Sequence, residues 1–222
     1  MKRIATALVL VPIVVWLALW SPEWALIAAL AIIGVLAFRE YLHITVGQRH
    51  ALPSDVGQGR ALTSPILSIT LGVIYIFGPL ACTVALRRLN PHWLMFALLL
   101  SWAGDTAALY VGKSIGRHAL APRISPQKTW EGAIGSIAGS LLAGAIYAHY
   151  LIPSEALRLV LLPAFFGNIA GQFGDLAESA IKRRAGVKDS GSSLPGHGGW
   201  LDRIDSMLFT IPVVYGLVLL NS

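Results

Sequence analysis

The sequence predicts an all-α fold, a polytopic integral membrane helical bundle of about seven transmembrane helices. Charged residues make up 13% of the 222 residues and apolar residues 55%, with a mean hydropathy of +0.67. Soluble domains carry about 25% charged residues, so this chain has roughly half the usual solvating surface. Its apolar stretches run on continuously at helix length instead of alternating, which selects helices over a barrel. Polar and charged residues gather in a few segments between those stretches.

The chain starts with Lys2-Arg3, as a signal peptide would, but the apolar stretch over 4–20 is longer than a signal core. No small-residue cleavage site follows it, so it reads as a retained first span. A second span, 24–38, begins directly after Ser21-Pro22-Glu23. Further spans are expected at 64–86, 93–111, 132–152, 157–175 and 204–220. Pro65, Pro79 and Pro163 fall in or near them, which bilayer helices tolerate. The long polar connections are 39–62, 112–131 and 176–203, and no repeat or soluble domain interrupts the single transmembrane domain over 1–222. One cysteine, Cys82, excludes an intramolecular disulfide.

With the N-terminus inside, 14 of the 17 Lys and Arg residues fall on the inner side, and only Arg87, Arg88 and Arg158 outside. The positive-inside rule then places all three long polar connections in the cytoplasm. The formal charge of +6 suits anionic lipid headgroups rather than nucleic acid. The Arg87-Arg88 pair runs against the rule and makes the span count between 39 and 111 the point to check.

The segment 182–205, KRRAGVKDSGSSLPGHGGWLDRID, concentrates the chemistry. Gly186, Gly191, Gly196, Gly198 and Gly199 lie there among five cations and three carboxylates. Glycine permits close backbone approach, Lys and Arg suit phosphate oxygens, and carboxylates beside them suit a hard divalent metal. Asp175 and Glu178 are three residues apart, as are Asp202 and Asp205, so each pair shares a helical face. The pairs are either metal ligands, or helix caps and partners of Arg183 and Arg203. Asp105 lies within an apolar run, where a carboxylate costs about 2.5–3.5 kcal/mol on insertion scales, and so should face a polar cavity, a metal or a cation.

In 124–132, Ser125-Pro126 opens a turn and Lys128-Thr129 enters a span. That helix start offers free N–H groups and a point charge to an anion, or else is an interfacial turn anchored by Trp130. His197, in PGHGG, is a phosphate contact or an ordinary hydrogen-bonding residue. The run 107–114 misses the P-loop pattern because Ala107 replaces its first glycine and a bilayer helix precedes it, which excludes a Walker-type NTPase.

These motifs together resemble the phosphatidate cytidylyltransferases, also called CDP-diacylglycerol synthases. The resemblance rests on Ser179-Ala-Ile-Lys182-Arg183, Lys188-Asp189-Ser190-Gly191, Leu194-Pro195-Gly196-His197-Gly198-Gly199 and Leu201-Asp202-Arg203-Ile204-Asp205. It extends to Gly174-Asp175 with Glu178, to Ser125-Pro126-x-Lys128-Thr129-Trp130-Glu131-Gly132, to Asp105 with Gly112 and Gly116, and to Arg39-Glu40-Tyr41. The chain departs from the pattern at Trp200, where an aliphatic residue is usual, and at Leu109, where tyrosine is common. It also looks short of one span between 42 and 64.

The resemblance implies a reaction in which phosphatidic acid and CTP give CDP-diacylglycerol and pyrophosphate, with Mg²⁺ and room for a second cation. It divides the chain into N-terminal spans over about 1–90 and a catalytic part over about 93–222. Asp175 and Asp202 are the implied metal ligands, with Asp189 and Asp205 next in order. Lys128, Lys188 and Arg203 join Asp175 and Asp202 as catalytic residues. Ser125, Thr129, Ser179, Lys182, Arg183, Ser190, Gly196, His197, Gly198 and Gly199 are implied substrate contacts, while Asp105 and Glu131 tune cavity polarity. The implied setting is a bacterial inner membrane with the active-site loops cytoplasmic, and a homodimer stays open. Two alternatives also stay open: a cytidylyltransferase for another lipid phosphate, and an ion-coupled transporter, which would have no need of the glycine-rich loop.

Overall fold

A computed structural model describes residues 2–46, 64–153, 157–193 and 198–220. The element order is α1 (Lys2–Leu19), α2 (Glu23–Thr45), α3 (Pro65–Leu89), α4 (Pro91–Ile115), β1 (Ala119–Ala121), β2 (Ser125–Thr129), α5 (Trp130–Leu151), α6 (Leu157–Arg184), α7 (Leu201–Ile204) and α8 (Met207–Leu219). Each predicted span corresponds to a helix, and α2 through α6 are long and apolar enough to cross a membrane. The protein is therefore an all-α, polytopic membrane bundle. The expectation of a missing span between 42 and 64 falls mostly outside the described residues.

Caps in the sequence set several helix starts. Ser64 Oγ accepts from Leu67 N at 3.2 Å ahead of Pro65, and Asn90 Oδ1 accepts from His92 N at 2.8 Å ahead of Pro91. Both place proline at the first helical position, where its missing N–H costs nothing. Two helices overrun their predicted ends: α2 continues through Arg39, Glu40 and Tyr41, and α6 continues to Arg184. Asp175, Glu178, Ser179, Lys182 and Arg183 thus stand on one helix rather than in a loop.

The hairpin β1–β2 was not expected from the sequence. Ala119 pairs with Thr129 and Ala121 with Ser125, and Ile124 N donates to Ala121 O at 3.1 Å across a turn containing Pro122. Proline at the second position of a β-turn is the local signal for it. Lys128 consequently lies within a strand, and Thr129, its last residue, caps α5 by accepting from Gly132 N at 3.1 Å.

Arg87 and Arg88, which oppose the charge rule, fasten helix ends together. Arg87 Nε donates to Ala18 O at 3.0 Å at the end of α1, and its guanidinium also reaches Ser21 O. Arg88 pairs with Glu23 at the start of α2. Cations beside the last carbonyls of α1 suit the helix dipole. The pair therefore serves local structure, and among the described residues this region carries α2, α3 and α4.

The core centres on α4, where Leu94, Phe96 and Leu100 are buried together with Val160 of α6 and Val214 of α8. A polar seam runs through it. Asn168 donates to Ser136 Oγ at 2.9 Å and Ser140 Oγ at 2.7 Å, and Ser140 donates to Leu100 O at 2.8 Å. Thr210 donates to Gly167 O at 3.0 Å. Small residues and interhelical hydrogen bonds of this kind hold helices together where lipid removes the hydrophobic drive. Trp16, Trp24, Ile66, Ile134 and Phe173 point outward, as lipid-facing residues do.

Candidate active site

The site is built at one end of the bundle from α2, the hairpin, the end of α6 and the segment around α7. Asp202, in the first turn of α7, receives Lys182 Nζ on Oδ1 at 2.6 Å. Its Oδ2 accepts Ser190 N at 2.9 Å and Gly199 N at 2.8 Å. Burial works to raise the Asp202 carboxyl, but the bond from Lys182 and the Gly199 amide outweigh it and hold the group below its ordinary value. Lys182 also pairs with Glu178 one helical turn earlier, and Glu178 is 1% exposed.

Two glycines make this geometry. Gly198 has φ +76°, a left-handed conformation that side chains resist, and a Cβ there would strike the Asp202 carboxylate. Gly199 lies against Ser190 Oγ and Glu40 Oε2 with no room for a side chain. Close backbone approach is thus used here toward the protein's own carboxylates.

A second acidic centre lies beside the hairpin. Lys128 of β2 pairs with Asp175 of α6, and Ser179 Oγ lies 3.4 Å from Asp175 Oδ1. The charge of Asp175 acts on both Asp105 of α4 and Asp205 before α8, and Lys128 and Arg203 also act on Asp105. Burial first, and the charge of Asp175 second, hold the Asp205 carboxyl above the usual carboxylate range. Arg183 joins the hairpin to the loop, donating to Ile124 O at 3.2 Å and Val187 O at 3.1 Å. Glu131 is taken by His118, with Nδ1 to Oε1 2.6 Å.

The predicted residues are therefore gathered in unequal measure. Asp175, Asp202, Asp205, Lys128, Lys182 and Ser190 converge as described, with Asp105 and Arg203 acting on the same charges. Ser125 and Thr129 serve the hairpin and the α5 cap. Lys188 and Asp189 are exposed on the loop. Gly196 and His197 lie outside the described residues.

Glu40 is the residue whose role sequence reasoning missed. It is 8% exposed and accepts from Ser190 Oγ at 2.9 Å, Ser193 Oγ at 2.9 Å and Leu201 N at 3.0 Å. The sequence signals are a carboxylate at the polar end of an apolar run and the Arg39-Glu40-Tyr41 resemblance, and neither names its partners. Tyr75 of α3 is a further addition: its hydroxyl is buried without a hydrogen-bond partner among the described residues, and the charges of Asp205, Glu178 and Asp175 act on it.

Among the described residues, no three acids, histidines or cysteines form a preformed metal cage. The donors nevertheless fit a divalent cation shared with phosphates, since magnesium commonly takes one or two carboxylates and leaves the rest to substrate and water. Glu178 Oε1 is buried and accepts no hydrogen bond among the described residues, and the Glu178 and Asp202 carboxylates meet at one ammonium, that of Lys182. Only a cation stabilises such a pair when both are charged. Lys182 fills that role in this structure.

The family profile described as the cytidylyltransferase family matches residues 55–220. The phosphatidate cytidylyltransferase of Bacillus subtilis strain 168 is 44% identical over 160 residues, which cover 69% of this chain and 58% of that protein. That of Staphylococcus saprophyticus is 44% identical over 149 residues, 67% of this chain and 55% of that protein. That of Staphylococcus haemolyticus is 40% identical over 146 residues, 66% and 54% respectively. The chain thus matches little more than half the length of these curated relatives.

Proposed function

The chain belongs to the cytidylyltransferase family, and on that premise we propose that it is a phosphatidate cytidylyltransferase. It would transfer CMP from CTP to phosphatidic acid, giving CDP-diacylglycerol and pyrophosphate. The observation that carries this reading is the pairing of two carboxylates with two lysines at one end of the bundle, Asp175 with Lys128 and Asp202 with Lys182. Such pairs can open to admit phosphates and a divalent cation while charge stays balanced.

The nucleophile is a lipid phosphate monoester, already anionic near neutral pH, so no strong base is required. Its oxygen bonds to the α-phosphorus of CTP as the α–β bridge breaks and pyrophosphate leaves. Lys128 and Lys182, released from their carboxylates, would neutralise phosphate oxygens, with Arg203 beside them. Asp175 and Asp202 would hold magnesium, with Asp205 in support. Bound magnesium would supply charge neutralisation at the substrate phosphates. Asp105 would shape the field around Asp175. CTP is cytosolic, which agrees with the inner placement that the cation count gives these loops. The catalytic part is the segment from about 93 to 222, with Glu40 added.

The test uses protein purified in detergent with labelled CTP, phosphatidate and Mg²⁺. A CDP-lipid and pyrophosphate are expected. Absence of product across several lipid phosphates rejects the reading. Asp202→Asn should abolish turnover while the protein still folds, and near-normal rates in that variant would remove Asp202 from the metal set.

A further inference from the structure

A cavity of about 580 Å³ opens where the end of α2 meets the glycine-rich loop. That volume is in the range of ligand pockets, roughly 300–1,000 Å³. Leu36, Leu42 and Ile69 form an apolar wall from two membrane helices, and Ser190 and Gly191 form the wall nearest Asp202. Arg39 and His43, one turn apart on α2, line the same space.

From this cavity we infer that Arg39, with His43 beside it, binds the phosphate monoester of the lipid substrate, and that the apolar wall takes the first part of its acyl chains. Three features support the assignment. The first is charge. Glu40 also borders the cavity, but Ser190, Ser193 and the Leu201 amide hold its carboxylate. Those bonds turn the Glu40 carboxylate toward the loop, and among the described lining residues Arg39 is the side chain of fixed positive charge; its guanidinium matches phosphate with paired donors.

The second feature is chemical zoning. One side of the cavity is hydrocarbon carried by spans, and the other is loop. A lipid phosphate uses both surfaces at once, its headgroup at the polar side and its chains along the hydrocarbon. The third is position. Ser190 contributes Oγ to Glu40 and N to Asp202, at 2.9 Å each. A phosphate in the cavity therefore lies one residue's width from the Asp202–Lys182 pair where CTP is proposed to react.

This inference takes the identity of the lipid from the proposed function, and its test is independent of turnover. Binding of dioctanoyl phosphatidate and of CTP to the full chain in detergent is measured separately, with dioctanoyl phosphatidylcholine as the lipid lacking a monoester. Arg39→Ala should weaken phosphatidate binding by on the order of tenfold, as loss of one charge-assisted contact does. CTP binding should stay within twofold. Arg39→Lys should fall between, and Arg39→Glu should be weakest, which separates a charge effect from loss of packing. Arg39 is exposed, and an unchanged melting temperature verifies folding of each variant.

An unchanged phosphatidate affinity in Arg39→Glu overturns the inference, even in an active enzyme. Weakened CTP binding with intact phosphatidate binding also overturns it and makes the cavity a nucleotide site. Arg39-dependent phosphatidate binding by a protein that forms no CDP-lipid upholds the inference and removes the proposed reaction.

Discussion

Lys182 and Asp202, twenty residues apart and on different helices, meet with Nζ 2.6 Å from Oδ1, while Glu178 holds the same ammonium from its other side. One cation thus joins α6, α7 and the loop between them. Breaking a buried pair by removing one partner leaves an uncompensated charge, a penalty of roughly 3–5 kcal/mol. Lys182→Met should lower the melting temperature in detergent sharply. Adding Glu178→Gln to that variant should recover a good part of the loss, because one of the two stranded charges is then gone. A melting temperature unaffected by Lys182→Met would show that the ammonium stabilises nothing.

Glu40 is expected to matter to turnover although it lies far from the motifs in sequence. Its three hydrogen bonds hold Ser190, Ser193 and Leu201 in place, and bonds to a charged group contribute about 1.5–3 kcal/mol each. Glu40→Ala should reduce kcat by at least about a hundredfold, the weight of roughly 3 kcal/mol, and expose the loop to trypsin at Lys188. Glu40→Gln should lie between. Wild-type cleavage kinetics in Glu40→Ala would mean that the loop is held by other contacts.

Metal removal should separate chemistry from folding. Because no three described donors form a cage, binding depends on substrate phosphates, and stabilisation by mass action should be small in their absence. Chelation should stop turnover, and restored Mg²⁺ should recover it. The melting temperature without substrates should change little in either step. A large drop on chelation alone would reveal a resident structural ion.

The polar seam inside the bundle gives a prediction on stability. A Cβ on Gly104 would collide with Asn168, Ser136 and Ser140. Gly104→Leu overfills that space and should cost about 1–3 kcal/mol or more. Asn168→Ala only removes bonds, and membrane hydrogen bonds average about 0.6 kcal/mol, so its effect on the melting temperature should be the smaller. The reverse order would mean that hydrogen bonding, rather than close packing, holds α4 to α5 and α6.

The helices were legible because apolar runs of span length have few alternative fates in a bilayer. The acidic and basic residues gathered at one end of the bundle stood out because charge near a membrane is costly without a task. The hairpin was not, since strands of three and five residues are too short to show a periodicity, and the turn at Pro122 was the one usable sign. The pairing pattern was hidden too. Sequence showed Asp175 and Glu178 as companions on a face, yet Asp175 pairs with Lys128 and Glu178 with Lys182. Glu40 was unreadable as an anchor because its partners lie 150 to 161 residues away, and local spacing holds no trace of such contacts.

That distance has a consequence for biogenesis. Ribosomes add about 5–20 residues per second, so α2 waits roughly ten to thirty seconds before Leu201 is made. Throughout that interval the Glu40 carboxylate must remain at the water-facing edge, hydrated, because its eventual donors have not been synthesised. This polar end of the bundle is consequently completed last, after five long helices are already threaded, and a nascent chain stalled before α7 would be inserted with Glu40 and Lys182 still lacking Leu201 and Asp202.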